Sequence, residues 1–107
     1  MRGALITVAM QGDFGKPRPA LIIQSDYFDS HPSVTILPVT SDLRDAPLFR
    51  VTVKPSAENG LNRISQVMVD KAMTIPRDKL GEHIGHIEQD ELIEVDRCLA
   101  LFLGIVK

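Results

Sequence analysis

Three short stretches of the sequence carry side chains that bind or transfer phosphate groups, each beside a predicted strand. Arg18 stands between two prolines, ahead of an apolar run. Thr40 and Ser41 follow a second run, and Asp70 closes a third. A guanidinium neutralises phosphate charge through paired hydrogen bonds, a hydroxyl donates to a phosphate oxygen, and a carboxylate takes or orients a proton. If these strand ends meet on one rim of a small barrel, they supply what a phosphodiester site needs.

Each of these residues also has a purely structural explanation. Arg18 could be a surface charge at a turn, and Thr40 and Ser41 could cap a turn through bonds to the backbone. Asp70 could accept a backbone N–H or pair with Lys71. The two prolines beside Arg18 fix φ and restrict the residue between them, which holds this arginine on a stiff, extended segment.

Short apolar and β-branched runs predict five to seven strands with turns between them. The predicted strand segments are 4–10, 20–24, 34–40, 48–53, 65–71, 72–75 and 82–87, of which 65–71 and 72–75 could form one bent strand. The near-continuous apolar run 20–24 indicates a strand buried on both faces. Phe49, Val51 and Val53 alternate with polar residues, which predicts a half-buried strand. Pro38 predicts an edge strand or a bulge.

A helical period occurs only near the end of the chain, where one apolar stripe is formed by Leu92, Val95, Leu99 and Phe102. Gly104 is a plausible stop for this helix. Asn59-Gly60 marks a hairpin-like turn between two earlier strands. A small, mostly antiparallel barrel capped by one helix is the simplest way to bury such a set of elements.

Length and composition bound the function. The 107 residues fit a single domain over residues 1–107, with 44% apolar and 24% charged residues, as in ordinary soluble proteins. Only 5% are aromatic, which counts against a protein that binds nucleic acid mainly by base stacking. The net charge is −2, but residues 88–97 alone carry −4. The remainder could present a modest basic surface, which permits a polyanionic ligand without requiring one.

Several classes of site are absent from the sequence. Cys98 is the only cysteine and lies in an apolar run, so we expect it to be buried and unpaired. No Cys/His cluster has metal-ligand spacing, and no Walker loop, G-x-G-x-x-G or G-x-S-x-G motif is present. We therefore predict no metal and no cofactor. No signal peptide or membrane-spanning run is evident, and we expect a cytoplasmic protein.

In order along the chain, three motifs resemble those of the MazF/PemK toxins of bacterial type II toxin–antitoxin systems. "GKPRPALIIQSD" resembles the family's G-x-R-P-x-(V/L)-(V/I) motif, "ILPVTSDL" its P-(V/C)-T-(S/T) motif, and "SQVMVDKAMTIPRDKLG" its D-x-x-x-(T/S)-I signature. The resemblance covers nearly the whole chain. It implies an SH3-like β-barrel with a C-terminal helix, of the type shared by CcdB, MazF and PemK, and usually a homodimer.

The same resemblance implies a metal-independent endoribonuclease that cleaves single-stranded mRNA at short sequences. In that reaction the ribose 2′-OH attacks the adjacent phosphate and leaves a 2′,3′-cyclic phosphate and a 5′-OH. Carried over by motif, Arg18 transfers protons and stabilises the phosphate, Thr40 contacts the scissile phosphate, and Asp70 does acid/base work. The implied partner is a cognate antitoxin with an acidic disordered segment.

The chain departs from the family pattern in two places. Many relatives carry a longer first loop with the pattern G-x-E-Q-x-G-x-R-P, where this chain has only "QGDFGKPRP". Some PemK-type relatives place an arginine two residues before the aspartate, where this chain has Met68, and Lys16 or Lys71 could compensate. The expected substrate-binding residues are Gln11, Asp13, Lys16, Ser41 and Lys71.

Two other functions are compatible with the same barrel. The first is a non-catalytic toxin that poisons a protein target, as the gyrase-poisoning CcdB family does through C-terminal residues. The ending "LFLGIVK" is interpreted as core packing, which gives that function little support. The second is a plain SH3-like binding module, which leaves the proline-flanked Arg18 without a role.

Overall fold

The computed structural model describes residues 1–9 and 16–107, and it places seven strands and one α-helix in them. The strands are β1 Ala4–Ala9, β2 Pro17–Ile22, β3 Ser33–Thr40, β4 Arg50–Val53, β5 Ser65–Met68, β6 Met73–Pro76 and β7 Leu80–His86, and the helix is α1 Gln89–Phe102. Short 3-10 turns occur at Asp26–Phe28, Val69–Lys71 and Arg77–Lys79. The predicted class, mostly β with a C-terminal helix, is confirmed.

The strands form one antiparallel sheet in the order β4-β5-β3-β2-β1-β7, with β6 paired to β3. Strand β3 is central, because β2, β5 and β6 all pair with it. Of the two alternatives predicted from Pro38, an edge strand or a bulge, the edge strand is therefore wrong. Pro38 is buried opposite Ala20, between the part of β3 that pairs with β6 and the part that pairs with β5. The missing N–H of proline is tolerated at this break between two ladders.

Apolar residues cover both faces of β1, β2 and β3, as the run in β2 predicts. One cluster includes Leu5, Leu21, Leu37, Val67, Val69, Val95 and Cys98, and the other includes Ile6, Val8, Ala20, Ile22, Val34, Ile36 and Ile75. In β4, Val51 and Val53 are buried and alternate with exposed Thr52, as predicted. Phe49 is 36% exposed and precedes the strand, so its predicted place in the alternation is wrong.

Helix α1 begins at a capping box, in which the backbone N–H of Glu88 donates to Oε1 of Glu91 at 2.9 Å. It packs on the sheet through Val95, with Leu92 and Leu99 partly buried beside it. Gly104 has a φ of 76°, and its N–H donates to Leu101 O at 3.2 Å, so the predicted stop is confirmed.

The end of the chain is not core packing, contrary to the prediction. Beyond the last buried turn of α1, the apolar side chains are 44–75% exposed: Leu101, Phe102, Leu103, Ile105 and Val106. The buried part of the apolar stripe therefore ends before Phe102. We call these five residues the apolar tail surface.

Cys98 is buried and free, as predicted. Its Sγ lies 3.9 Å from Pro47 O. Burial raises the pKa of the thiol, and the nearby Glu94 carboxylate adds to the rise while Arg97 opposes it. The thiol is therefore protonated at neutral pH and serves packing. Among the described residues, no helix is long and apolar enough to cross a membrane.

Candidate functional site

An open cavity of about 880 Å³ lies between the ends of β2 and β3, the strand β5 and the loop that precedes β5. Its lining brings together four of the residues predicted from sequence, namely Arg18, Thr40, Ser41 and Lys71. It also includes Asn62 and Arg63 of the loop 54–64, which the motifs did not indicate. We call this cavity the groove.

The groove carries positive charge on a chain that is negative overall. Among the described residues, three cations line it, Arg18, Arg63 and Lys71, and no Asp or Glu does. The whole chain has a net charge of −2. A cleft of one sign attracts ligands of the opposite sign, so this groove suits a polyanion.

Arg18 and Thr40 lie at the same end of the β2–β3 ladder. The last pair of this ladder is Ala20 and Pro38, and Arg18 and Thr40 each lie two residues beyond it on their own strand. Both residues line the groove. The guanidinium and the hydroxyl are therefore available to one ligand group.

Thr40 also makes the turn-capping bond that its structural explanation predicts. Its Oγ1 accepts the backbone N–H of Asp42 at 3.0 Å. A hydroxyl that accepts one hydrogen bond still has its own proton to donate. The two explanations are compatible, because the capping bond orients the oxygen while the proton remains available to a phosphate.

The loop after Thr40 is held by a buried amide that the motifs did not indicate. Gln66 is 7% exposed, and its Oε1 accepts from Arg44 N at 2.9 Å and Arg50 Nη1 at 3.0 Å. Its Nε2 donates to Arg44 O at 3.0 Å, and Arg50 Nη1 also donates to Asp42 O at 2.9 Å. The only sequence signal is a polar residue inside the apolar run "SQVMV".

Asp70 lies beside the groove, and it is not one of the lining residues. It is half-buried in the 3-10 turn Val69–Lys71, which separates β5 from β6 in place of one bent strand. Its Oδ1 is buried and has no hydrogen-bond partner in the described part of the chain. Leaving a buried carboxylate oxygen unpaired is costly, so this atom is a candidate to meet a ligand or a proton.

Of the other predicted substrate-binding residues, the structure describes only Lys16. Lys16 is exposed just before β2 and does not line the groove. Gln11 and Asp13 lie outside the described residues. Lys16 and Lys71 were both expected to compensate for Met68. Of these two lysines, Lys71 lines the groove, as Met68 does.

Residues of the loop 54–64 form part of the groove lining, and this loop is fixed by buried Asn59. Its Oδ1 accepts the N–H groups of Ser56 and Leu61, both at 3.0 Å, and its Nδ2 donates to Lys54 O at 2.8 Å. Asn59 is 2% exposed. The Asn59-Gly60 signal thus does mark a turn between paired strands, but the asparagine is a structural centre of a long loop.

The same loop packs backbone to backbone against β7. A Cβ added to Gly85 would come within 2.2 Å of Glu58 O, so only glycine fits there. Gly60 has a φ of 66°, a left-handed conformation that side chains rarely adopt. His86 N donates to Glu58 O at 2.9 Å and ties the two segments together.

Comparison with known proteins decides the family. The family described as "PemK-like, MazF-like toxin of type II toxin-antitoxin system" matches residues 1–103. The chain belongs to this family. Every motif that carried the resemblance lies inside the matched range.

One relative and two solved structures match this MazF-like chain over more than nine tenths of both chains. It is 44% identical to "Probable endoribonuclease MazF" of Mycolicibacterium smegmatis over 105 residues, 97% of this chain and 96% of that protein. The solved Mycobacterium tuberculosis toxin MazF-mt6 superposes with a TM-score of 0.81 at 27% identity, over 94% of this chain and 96% of that one. MazF from a Deinococcus radiodurans MazE–MazF crystal gives a TM-score of 0.75 at 28% identity, over 95% and 92%.

In this MazF-like chain, Met68 stands where some PemK-type members have an arginine. Met68 lines the groove and pairs across the sheet with Arg50 of β4. Arg50 Nε is buried and, like Asp70 Oδ1, has no hydrogen-bond partner among residues 1–9 and 16–107. No group of three or more His, Cys, Asp or Glu side chains in those residues is arranged to hold a metal ion.

Proposed function

We propose that this chain is the toxin of a type II toxin–antitoxin pair and that it cleaves single-stranded mRNA without a metal cofactor. The observation that carries the proposal is the groove, whose described lining brings the cations Arg18, Arg63 and Lys71 together with the hydroxyl of Thr40. Family membership and the 44% identical relative named as an endoribonuclease support it.

The chemistry uses a nucleophile that the substrate brings. The ribose O2′ loses its proton and attacks the adjacent phosphorus, the P–O5′ bond breaks, and O5′ takes up a proton. The products are a 2′,3′-cyclic phosphate and a 5′-OH, with no net change of redox state. The protein therefore has to hold the phosphate and move two protons.

Each residue of the site performs the part of the reaction that suits its chemistry. Arg18 binds the scissile phosphate through paired hydrogen bonds and stabilises the charge that develops on it, and it delivers the proton to O5′ while water restores its own. The Thr40 hydroxyl donates a hydrogen bond to a phosphate oxygen. Asp70 accepts the O2′ proton, since its buried Oδ1 has no competing partner in the described residues. Ser41 and Lys71 bind the RNA beside them.

The proposal is tested by incubating the purified protein with a long single-stranded RNA in excess EDTA. We expect discrete cuts, with downstream fragments that a polynucleotide kinase labels directly because they carry a 5′-OH. Upstream fragments should carry a cyclic phosphate. Intact RNA at high protein concentration, or cuts that vanish in EDTA, would contradict the proposal.

The partners follow from the same groove. The substrate is single-stranded mRNA, and the neutralising partner is a cognate antitoxin whose acidic disordered segment occupies the cationic groove and displaces RNA. The crystal of Deinococcus radiodurans MazF with MazE supports such a partner. The proposed location is the cytoplasm, because the proposed substrate is mRNA.

A homodimer explains the apolar tail surface. Exposed contiguous apolar residues at the end of α1 are costly in water and mark an interface. A second copy related by a two-fold axis would cover the surface on both chains at once.

Replacing Phe102 with aspartate should therefore shift the protein from dimer to monomer, because the charge would be buried without a partner. Light scattering after size-exclusion chromatography measures the mass. Tyr27→Asp changes a more exposed aromatic, 88% against 51% for Phe102, that is not part of the apolar tail surface, and it should leave the mass unchanged. An unchanged dimer in Phe102→Asp would show that the interface lies elsewhere.

The exposed tail also favours a second candidate function. A toxin that poisons a protein through C-terminal residues needs those residues on the surface, and Phe102, Ile105 and Val106 are there. The RNA digestion separates the two, because a protein-directed toxin would inhibit growth with RNA left intact. No feature of the structure favours a plain binding module.

A further inference from the structure

Arg63 is a cation of the groove that neither the family motifs nor the strand ends identify. It lies in the loop 54–64, two residues before β5 begins, and its side chain lines the groove. The residue is exposed, and in the described part of the chain its guanidinium has neither an ion-pair nor a hydrogen-bond partner. Its backbone carbonyl accepts the hydroxyl of Ser65 at 2.9 Å, which fixes the main chain at this point.

The loop that carries Arg63 is held in place before any ligand arrives. Asn59 satisfies three backbone groups of the loop, and the close contact between Glu58 and Gly85 fastens the loop to β7. A side chain on such a segment loses less entropy on binding than one on a free loop. Arg63 is therefore preorganised as a ligand-binding group.

Arg63 and Lys71 lie on opposite sides of the residue that pairs with Thr40. That residue is Gln66 of β5. Arg63 precedes Gln66 by three residues and lies before the strand begins, so the two backbone positions are at most roughly 10 Å apart. Lys71 follows Gln66 in the opposite direction along the chain, beyond the end of β5. Arg63 is therefore available to a phosphate other than the one that Thr40 contacts.

We propose that Arg63 binds the phosphate next to the scissile one and so anchors the RNA strand across the groove. This rests on the proposed ribonuclease function and extends it. The planar guanidinium gives bidentate contact with a backbone phosphate. In this chain it supplies a positive charge to a groove where Met68 replaces the arginine of some PemK-type relatives. Arg63 is a positioning residue: it holds the strand while Arg18 and Thr40 hold the reacting group.

The test measures binding of a mixed-sequence 2′-O-methyl RNA, which keeps its phosphates but cannot be cut, over a range of salt concentrations. Arg63→Ala should weaken binding roughly tenfold, the effect of one lost charge-assisted contact. The slope of log K against log salt should fall by about 0.7, as for one phosphate contact on a single strand. Arg63→Lys should restore the slope and part of the affinity.

Lys54→Ala is the matched control, because Lys54 is an exposed cation of the same loop outside the groove lining. It should leave both affinity and slope unchanged. On cleavable RNA, Arg63→Ala should raise KM with kcat nearly unchanged, since the contact is the same in the ground and transition states. Wild-type affinity and slope in Arg63→Ala would overturn the inference, even if the protein cuts RNA. Arg63-dependent binding without any cleavage would instead overturn the proposed function alone.

Discussion

Replacing Arg18 with alanine should reduce RNA cleavage by at least about a hundredfold, in the range seen when one preorganised donor is removed from a transition state. Arg18 and Thr40 line the same groove, so loss of Arg18 removes the charge and the paired hydrogen bonds proposed to hold the scissile phosphate. Arg18→Lys keeps the charge but loses the paired hydrogen bonds, and it should recover only part of the rate. Initial rates of cleavage of a labelled RNA give the comparison.

The fold should survive this substitution. Arg18 is exposed at the start of β2, and the prolines on either side keep its backbone extended without the side chain. The thermal unfolding midpoint of Arg18→Ala should therefore match that of the wild type. Lys79→Ala, which removes an exposed cation outside the groove lining, should change neither quantity. Full cleavage by Arg18→Ala would remove this residue from the active site.

Strand positions could be predicted from sequence where burial repeats along the chain. The run 20–24 indicated a strand buried on both faces, and the core includes Ala20, Leu21 and Ile22 as that pattern requires. The edge strand predicted from Pro38 was wrong because a central strand can change partners at one residue, and proline is tolerated at that break. Register between distant strands is a property of the whole sheet, so sequence alone did not provide it.

Residues presented by a loop were the least predictable part of the groove. Arg18, Thr40 and Lys71 could be found because they sit in motifs at strand ends. Arg63 could not, because its position depends on how the loop 54–64 packs against β7. Phe102 is the opposite case. The helical period was predicted correctly and includes Phe102, but this side chain is exposed at the end of the helix.

The conformation of the loop 54–64 depends on the side chain of Asn59. Asn59→Ala should lower the free energy of unfolding by roughly 3 kcal/mol, because it leaves two backbone N–H groups and one carbonyl without partners. For a domain of this size that corresponds to a midpoint about 10–20 °C lower. Asn62→Ala, in the same loop but exposed, should leave the midpoint unchanged. Thermal and urea unfolding followed by circular dichroism measure both variants.

The same substitution links stability to RNA binding. Arg63 depends on the loop that Asn59 holds, so Asn59→Ala should also weaken binding of the uncleavable RNA at temperatures well below its own midpoint. The charge of the groove is unchanged, and the loss must come from ordering the loop on binding. Raising the RNA concentration should then stabilise Asn59→Ala by mass action, as any ligand of the folded state does. A destabilised Asn59→Ala that binds RNA like the wild type would show that the groove does not depend on this loop.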